Sequence, residues 1–214
     1  MSATQPRLIL ASASPRRLDI LRAHGHDPVV IKPDVNEQLD AQTALPDLPA
    51  LLEELALSKA RYVLGYLFNG ELMDAGQVAA DAAAITIATD QPLIIIAADT
   101  VVYTDQIIGK PRDHAAAVQT LLELRNRTHT VLTAVAVIEL PDAKEQSFTD
   151  QALVRFGDYN LETIENYIST EPPYDKAGSY AIQGIWSHQV TSIIGDRNTV
   201  IGLPYQRLAD LLGW

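Results

Sequence analysis

Residues 93–103 have the sequence LIIIAADTVVY, and this stretch decides the fold class. Leu93–Ala98 is a continuous aliphatic run, which is typical of a strand that helices cover on both faces. Asp99 and Thr100 interrupt the run, and Val101–Tyr103 continue it. We therefore expect a central strand of an α/β sheet, with Asp99 at its carboxyl end, where open α/β sheets place their ligands.

The residues before this strand predict two further strands and two helices. Arg7–Ala11 and Val29–Ile31 are short apolar segments with the length of strands. Between them, a helix is predicted over Pro15–His24, because proline suits the first helical position and Ser14 is an N-cap type. A longer helix is predicted from Asp47 to about Leu67 by apolar residues at a period near 3.6.

The residues after the central strand continue the alternation. A turn at Thr104–Gln106 leads to a short strand at Ile107–Ile108. Strands are predicted at 130–140, 151–156, 180–183 and 190–194, a turn at 195–198, and helices after Asp113, Asn160 and Pro204. Because there is neither an internal repeat nor a long linker, we expect one α/β domain over residues 1–214.

Composition excludes several classes of protein. The chain of 214 residues is 47% hydrophobic and 20% charged, which excludes disordered, collagenous and coiled-coil chains. Its 16 Lys and Arg against 27 Asp and Glu give a net charge of −11, which argues against broad nucleic-acid binding. No stretch approaches the roughly 18 apolar residues of a membrane span, and a signal peptide's apolar core is absent. We expect a cytoplasmic protein that binds neither nucleic acid nor membranes.

The residue types also limit the chemistry. The chain has no cysteine, which excludes disulfides, a thiolate nucleophile and a zinc site built on sulfur. Its five histidines never occur in the spacing of a zinc protease. A hard divalent cation bound by carboxylates remains open.

The segment SASPRR at 12–17 joins a predicted strand to a predicted helix N-terminus. Free backbone N–H groups and the positive end of the helix dipole favour an anion there. The hydroxyls of Ser12 and Ser14 and the guanidiniums of Arg16 and Arg17 would complete a phosphate site. On spacing alone, a serine-capped helix with two solvated arginines is an equal alternative.

Three lysines extend this set of cations. The apolar stripe of the longer helix is Leu52, Leu55, Ala56, Lys59 and Val63. Taken alone, Lys59 is best interpreted as a lysine whose stem packs while its ammonium reaches solvent. Lys110 and Lys176 lie in predicted turns, where single lysines are usually solvated. Together with the two arginines, they would concentrate positive charge as polyphosphate binding to so acidic a protein requires.

Two acidic residues are candidates for the chemical step. A carboxylate in a buried strand, such as Asp99, should meet a metal, a cation or a reacting water, although satisfying backbone N–H groups is an alternative. Glu37 follows a predicted strand in the sequence DVNE. Mg²⁺ usually takes one or two carboxylates plus phosphate oxygens, so Glu37 and Asp99 are the predicted metal ligands. For Glu37, a solvated acidic loop is the alternative.

Five motifs occur in a fixed order: SASPRR at 12–17, LSKA at 57–60, AADT at 97–100, GKPRD at 109–113 and DKAGSYAIQG at 175–184. With IGLP at 201–204, the chain resembles the Maf family of nucleoside triphosphate pyrophosphatases over nearly its whole length. The resemblance implies an elongated mixed α/β sheet with flanking helices that form two lobes around a cleft, similar to inosine triphosphate pyrophosphatases. It also implies hydrolysis between the α and β phosphates, a divalent cation (Mg²⁺ or Mn²⁺), a cytoplasmic location and often a homodimer.

The resemblance also suggests roles for individual residues. Asp99 matches the proton acceptor, and Arg16, Thr100 and Gln183 match a trio associated with dTTP and UTP hydrolysis. A glutamine amide offers the donor and the acceptor that pair with the edge of uracil or thymine. From charge alone we expect Arg17, Lys59, Lys110 and Lys176 to neutralise phosphates, with Lys59 and Lys110 catalytic beside Asp99, and Ser12 and Ser14 to position oxygens.

Two other functions remain open from the sequence. One is a pyrophosphatase for non-standard purine nucleotides such as ITP or XTP. The other is a nucleotide-binding regulator, for instance of septum formation, that does not turn its ligand over. The chain departs from the Maf resemblance in one place: the separation between Lys59 and Asp99 is about twice what the family resemblance implies. The extra region, Gly70–Gln91, would lengthen a helix, form a flap or alter a dimer contact.

Overall fold

The structure is a computed structural model that describes residues 6–69, 92–170 and 173–214. The extra region Gly70–Gln91, for which a longer helix, a flap and a dimer contact were open, lies outside the described residues. Within the described ranges, no helix has the length and apolar character needed to cross a membrane.

The described residues form one mixed sheet of seven strands. The strands are β1 (Arg7–Ala11), β2 (Val29–Ile31), β3 (Leu93–Tyr103), β4 (Ile107–Ile108), β5 (Thr128–Leu140), β6 (Lys144–Phe156) and β7 (Val190–Ile194). Their order is β2-β1-β3-β5-β6-β7, and β4 pairs with β3 on the β1 side. β1 is parallel to β2 and β3, whereas the other pairings are antiparallel. The predicted mixed α/β sheet is confirmed.

Helices flank this sheet on both faces. They are α1 (Pro15–Ala23), α2 (Leu48–Asn69), α3 (His114–Leu124), α4 (Leu161–Thr170), α5 (Arg197–Ile201) and α6 (Tyr205–Leu212). Ile95 and Ala97 of β3 pack with Val63 of α2, whereas Ile96 points to the opposite face and packs with Leu208 of α6. Burying one such isoleucine stabilises the fold by about 1.5–3 kcal/mol. The aliphatic run of β3 therefore has the two covered faces that it predicts.

A second packed region surrounds the buried side chain of Trp186. The rings of Phe156, Tyr159 and Tyr167 lie with centroids 5.8, 4.8 and 4.7 Å from it. Residues of α3 and α4 complete this region. It is distinct from the packed clusters that α2 and α6 form on the two opposite faces of β3, as the two-lobed arrangement implied by the family resemblance requires.

One edge of β3 is interrupted, and this leaves a notch in the sheet. β1 pairs with β3 only as far as Ala97, and β4 pairs with it only from Val102. Residues 98–101 therefore have β5 on one side and, in the described part of the chain, no strand on the other. β1 ends here because Ser12–Ser14 turn the chain into α1 at Pro15. The notch exposes the middle of β3 to the space between the lobes.

The predicted break in β3 is wrong. The strand is continuous from Leu93 to Tyr103, so that Asp99 lies within it rather than at its carboxyl end. Both polar residues have partners that the local sequence does not reveal. Lys59 donates to Asp99, and the hydroxyl oxygen of Thr133 lies 3.0 Å from that of Thr100. Asp99 nevertheless lies beside the carboxyl end of β1, because β1 stops two positions earlier.

Three other predicted elements differ from the structure. Tyr180–Gln183 is not a strand; its alternation arises because Tyr180 and Ile182 are buried, whereas Ala181 is half-buried and Gln183 is exposed. The predicted turn at 195–198 contains the start of α5, which Asp196 caps by accepting a hydrogen bond from the N–H of Asn198 at 2.9 Å. β6 begins at Lys144, earlier than predicted, because its first half pairs with β5 through polar residues.

Candidate active site

A cleft of about 550 Å³ opens at the notch in the sheet. This volume lies within the range of small-molecule sites. Its polar lining comes from the loop after β1, the start of α1, the loop after β2, α2, β3, the β4–α3 turn and the loop after α4. It includes Ser12, Ser14, Arg16, Arg17, Glu37, Gln38, Lys59, Asp99, Thr100, Lys110 and Asp175. All five motifs thus contribute residues to the cleft, the fifth through Asp175 and its neighbours, and Glu37 meets them there.

Lys59 joins the two acidic residues of the cleft. Its ammonium donates to a carboxylate oxygen of Asp99 and lies 2.8 Å from Oε1 of Glu37. Lys110 lies 2.9 Å from the other oxygen of Glu37. Lys59 is only 3% exposed, so the interpretation of a packed stem with a solvated ammonium is wrong. A buried ammonium needs such partners, because losing them leaves an uncompensated charge.

The helix periodicity explains how Lys59 reaches this position. Leu52, Ala56 and Val63 lie on the same face of α2 and are fully buried. That face packs against β3 and β5, and it therefore carries Lys59 to the middle of β3, where Asp99 lies.

The two lysines control the charge of Glu37. Burial by itself would raise the pKa of this carboxyl group, but hydrogen bonds from Lys59 and Lys110 outweigh burial and lower the pKa from 4.5 to about 2. Glu37 is therefore ionised at neutral pH. The side chain of Glu37 is 44% exposed, so this acidic loop is partly solvated as the alternative expected, but the carboxylate is also paired with two lysines.

Arg17 forms the second charged centre of the cleft. Its Nε donates to the carbonyl oxygen of Gly202 at 2.8 Å, Nη1 to the hydroxyl of Ser12 at 3.0 Å, and Nη2 to the hydroxyl of Thr100 at 3.1 Å. A guanidinium carries five N–H donors, so one N–H on each terminal nitrogen is left beyond these bonds. Two neighbouring donors suit the oxygens of a phosphate group.

The start of α1 is open to a ligand as well. Ser14 occupies the N-cap position, but its side chain makes no capping hydrogen bond. Its backbone N–H instead donates to the hydroxyl of Ser12 at 3.1 Å. By contrast, Asp113 caps α3 by accepting from the N–H of Ala116 at 2.8 Å. The alternative of a serine-capped helix with solvated arginines therefore does not describe this segment.

Two of the predicted substrate-binding residues do not line the cleft. Lys176 donates to Oδ1 of Asp175 at 2.6 Å, and Oδ2 of Asp175 lies 3.4 Å from Arg16. Gln183 is exposed and follows Ile182, which does line the cleft. The sequence motifs predict no role for Asp175, although its place beside Lys176 in a motif is a usable signal.

Gly202 and Thr133 are two further residues of the site for which the sequence predicts no role. Gly202 has a φ of +117°, and a Cβ on it would lie 3.1 Å from the hydroxyl oxygen of Thr100 and 3.4 Å from Nε of Arg17. Its place in the IGLP segment was the available signal. Thr133 lies behind the cleft wall, and nothing in the local sequence distinguishes it from any other threonine in a strand.

The carboxylates of the cleft fit a hard divalent cation. One ammonium lies between Glu37 and Asp99, which shows that oxygens of both residues are within reach of a single cation. No group of three or more acidic, histidine or cysteine side chains suited to a metal occurs in the described ranges. A pair of carboxylates is nevertheless sufficient for Mg²⁺ that also binds phosphate oxygens and water.

The family model described as Maf-like protein matches residues 7–213 of the chain. The chain belongs to the Maf family. The match includes both halves of the cleft, from Ser12 in the first loop to Gly202 beside Arg17.

Curated relatives in the Maf family are similar over almost the whole chain. The dTTP/UTP pyrophosphatase of Dictyoglomus turgidum is 37% identical over 206 residues, which cover 96% of this chain and 94% of the relative. That of Symbiobacterium thermophilum is 38% identical, covering 96% and 92% of the two chains. That of Staphylothermus marinus is 34% identical, covering 94% and 85%.

Proposed function

We propose that this Maf protein hydrolyses dTTP and UTP, and modified pyrimidine nucleotides of the same shape, to the nucleoside monophosphate and pyrophosphate. The observation that carries the proposal is the convergence of Arg17, Lys59, Asp99 and Lys110 on one cleft. Cations able to neutralise a triphosphate thus lie beside a carboxylate able to accept a proton. The names of the relatives supply the substrate.

Asp99 is the proposed general base. A water molecule attacks the α-phosphorus and forms a new P–O bond, while the bond from that phosphorus to the bridging oxygen of the β-phosphate breaks. The proton of the water passes to the carboxylate of Asp99, and pyrophosphate leaves with the bridging oxygen. Lys59 holds Asp99 in place through its hydrogen bond, and a positioned general base contributes typically 10²–10⁴-fold to the rate.

The cations of the cleft stabilise the charge that develops on the phosphates. Arg17 would present its two remaining N–H groups to phosphate oxygens, and Lys110, whose side chain is 56% exposed, is free to turn from Glu37 toward the leaving pyrophosphate. Such electrostatic stabilisation is the main contribution of a protein to phosphoryl transfer. Glu37 and Asp99 would hold Mg²⁺ or Mn²⁺, which when bound neutralises phosphate charge as a Lewis acid.

Arg16, Thr100 and Gln183 are proposed to select the nucleobase of the substrate. Arg16 and Thr100 line the cleft, and Gln183 is exposed at its border beside Ile182. The amide of Gln183 would reach the base edge of a bound nucleotide. Lys176 would contribute through Asp175, to which it donates.

A substrate panel tests this function. Release of pyrophosphate is measured from dTTP, UTP, ITP and 7-methyl-GTP at equal concentrations with Mg²⁺ or Mn²⁺. We expect the two pyrimidine nucleotides to be preferred and no turnover without a divalent cation. Preference for ITP would favour the purine alternative, and saturable dTTP binding without pyrophosphate would favour the regulator. Size measurement in solution tests the homodimer, which together with a cytoplasmic location stays a prediction.

A further inference from the structure

A row of hydroxyl groups crosses the sheet behind the cleft wall. Thr100 of β3 and Thr133 of β5 are register partners, and their hydroxyl oxygens are 3.0 Å apart. Thr133 in turn donates to the backbone carbonyl oxygen of Thr199 at 2.7 Å. Thr133 and Thr199 are completely buried, and Thr100 is the member of the row that lines the cleft.

The direction of these hydrogen bonds is fixed by the group at the end of the row. A hydroxyl has one hydrogen to donate, and a carbonyl oxygen only accepts. The hydrogen of Thr133 is used on Thr199, so Thr133 can only accept from Thr100. The hydroxyl of Thr100 must therefore donate inward, away from the cleft.

Thr100 also receives a hydrogen bond from the cleft side. Nη2 of Arg17 donates to its hydroxyl oxygen at 3.1 Å. One of the two acceptor positions of that oxygen is thereby used, and its only hydrogen is used on Thr133. What Thr100 has left for a ligand is a single acceptor position.

The far end of the row is held in place by a third strand. The hydroxyl of Thr199 donates to Oδ2 of Asp150 on β6, and Nη1 of Arg207 lies 3.4 Å from Oδ1 of Asp150. Asp150 is also the register partner of Thr133. The carbonyl that sets the direction of the row is therefore fixed to the sheet.

We propose that Thr133 is a positioning residue that keeps Thr100 a hydrogen-bond acceptor toward the substrate. The substrate group that meets Thr100 is then a donor, either a ring N–H or a sugar hydroxyl, and not a phosphate oxygen. This inference rests on the proposed function, because it concerns the nucleotide bound in that cleft. Uracil and thymine carry a hydrogen on N3 and can donate it to Thr100, whereas N3 of cytosine carries a lone pair and cannot.

Replacing Thr133 with valine tests the proposal, since valine keeps the shape and removes the hydroxyl. The hydroxyl of Thr100 then loses its inward acceptor and is free to donate into the cleft. We expect kcat/KM for UTP to fall about tenfold, mainly through KM, as for a lost hydrogen bond at a polar site. If the donor is the ring N–H, the preference for UTP over CTP narrows. If it is a sugar hydroxyl, the preference for dTTP over its 3′-deoxy analogue narrows instead.

Two further variants serve as controls. Thr133→Ser restores the hydroxyl and is expected to restore these preferences. Thr130→Val makes the same chemical change on the same strand, at a residue that does not line the cleft, and is expected to leave them unchanged. The proposal would be overturned if Thr133→Val left both nucleotide preferences unchanged, or if kcat/KM fell equally for UTP, CTP, dTTP and the 3′-deoxy analogue. Either result would leave the proposed function intact if the wild type is active.

Neutron diffraction of the wild-type protein gives a test that does not depend on turnover. We expect the hydroxyl hydrogen of Thr100 to lie between the two threonine oxygens. A hydrogen directed into the cleft would overturn the proposal, even if Thr133→Val does not fold. A protein that shows the expected hydrogen but releases no pyrophosphate from any nucleotide would overturn only the proposed function.

Discussion

Lys59 donates a hydrogen bond to Asp99, the carboxylate that the proposed reaction uses as a base. Pairing with Lys59 and accepting the proton of water are therefore two tasks that compete for the same carboxylate. Asp99→Asn keeps the volume of the side chain and removes its basicity. We expect kcat to fall about 10²–10⁴-fold, the usual contribution of a general base. The fold should survive, because Lys59 keeps Glu37 as a partner. Pyrophosphate release and the Tm are measured together.

The control for this variant is Asp142→Asn, an exposed change in the turn between β5 and β6. It should alter neither quantity. Turnover close to that of the wild type in Asp99→Asn would exclude Asp99 as the base.

Glu37 gives a prediction about pH. Folding lowers its pKa from 4.5 to about 2, since hydrogen bonds from Lys59 and Lys110 outweigh burial. The ionised carboxylate therefore stabilises the fold above pH 4.5, and this contribution is lost as the pH falls toward 2. The difference in the free energy of unfolding between wild type and Glu37→Gln should therefore become smaller as the pH is lowered from 4.5 toward 2.

Urea unfolding at a series of pH values measures this difference. Glu123→Gln, on an exposed part of α3, provides the matched change of charge. A difference between wild type and Glu37→Gln that stayed constant with pH would show that the lysines do not hold this carboxylate.

Comparing alanine at Gly202 with alanine at Gly213 separates the effect of backbone strain from the effect of crowding in the site. Gly202 and Gly213 both end helices with positive φ, but a Cβ on Gly213 would meet nothing within 4 Å. Alanine at either position costs about 1–2 kcal/mol for the left-handed backbone. Only Gly202→Ala should also raise KM, because its methyl group crowds Thr100 and Arg17. Equal KM values for the two variants would contradict the role of this contact.

At the level of secondary structure, the starts of α1 and α3 are expected to respond differently to loss of their N-cap side chains. Asp113 accepts a capping hydrogen bond, whereas Ser14 does not cap its helix. Asp113→Ala should lower the free energy of unfolding by about 1 kcal/mol with activity retained. Ser14→Ala should leave stability nearly unchanged and weaken nucleotide binding. Chemical unfolding and pyrophosphate release measure the two effects, and a clear loss of stability in Ser14→Ala would restore the capped-helix interpretation.

The same elements show what sequence could predict. β1, α1 and α3 have local signals, namely short apolar runs, Pro15 at the helix start and Asp113 at a cap, and their predicted positions agree with the structure to within one or two residues. The continuity of β3 through Asp99 had no local signal, since it depends on Lys59 from α2. Tyr180–Gln183 alternates like a strand because an aromatic core buries two of its residues, and only the tertiary structure shows that no strand lies beside it among the described residues.

The candidate site was predictable to a similar extent. Motif residues with charged side chains were found because polyphosphate binding needs cations, and most of them line the cleft. Thr133 and the carbonyl of Gly202 act through hydrogen bonds to other residues of the site. Their contribution follows from strand register and chain path, which a sequence motif does not specify.

The whole molecule should become more stable when the cleft is filled, because its wall joins residues from both ends of the chain. A non-hydrolysable analogue, α,β-methylene-UTP, at 100 times its Kd adds about 2.7 kcal/mol to the free energy of unfolding. For a chain of this size the Tm should rise by about 5–10 °C. Thermal unfolding with Mg²⁺ measures the shift, and sodium chloride at equal ionic strength is the control. An equal shift with salt alone would show that the cleft does not bind the analogue.

The bond between Arg17 and Gly202 joins positions 185 residues apart. A domain generally folds as a unit, and the sheet that carries the first loop contains strands from β1 to β7. A ribosome-bound chain that still lacks Gly202 therefore leaves the guanidinium without its carbonyl partner. The arginine reaches its final orientation only after Gly202 has left the exit tunnel, so an unfinished polypeptide does not yet hold the completed cleft.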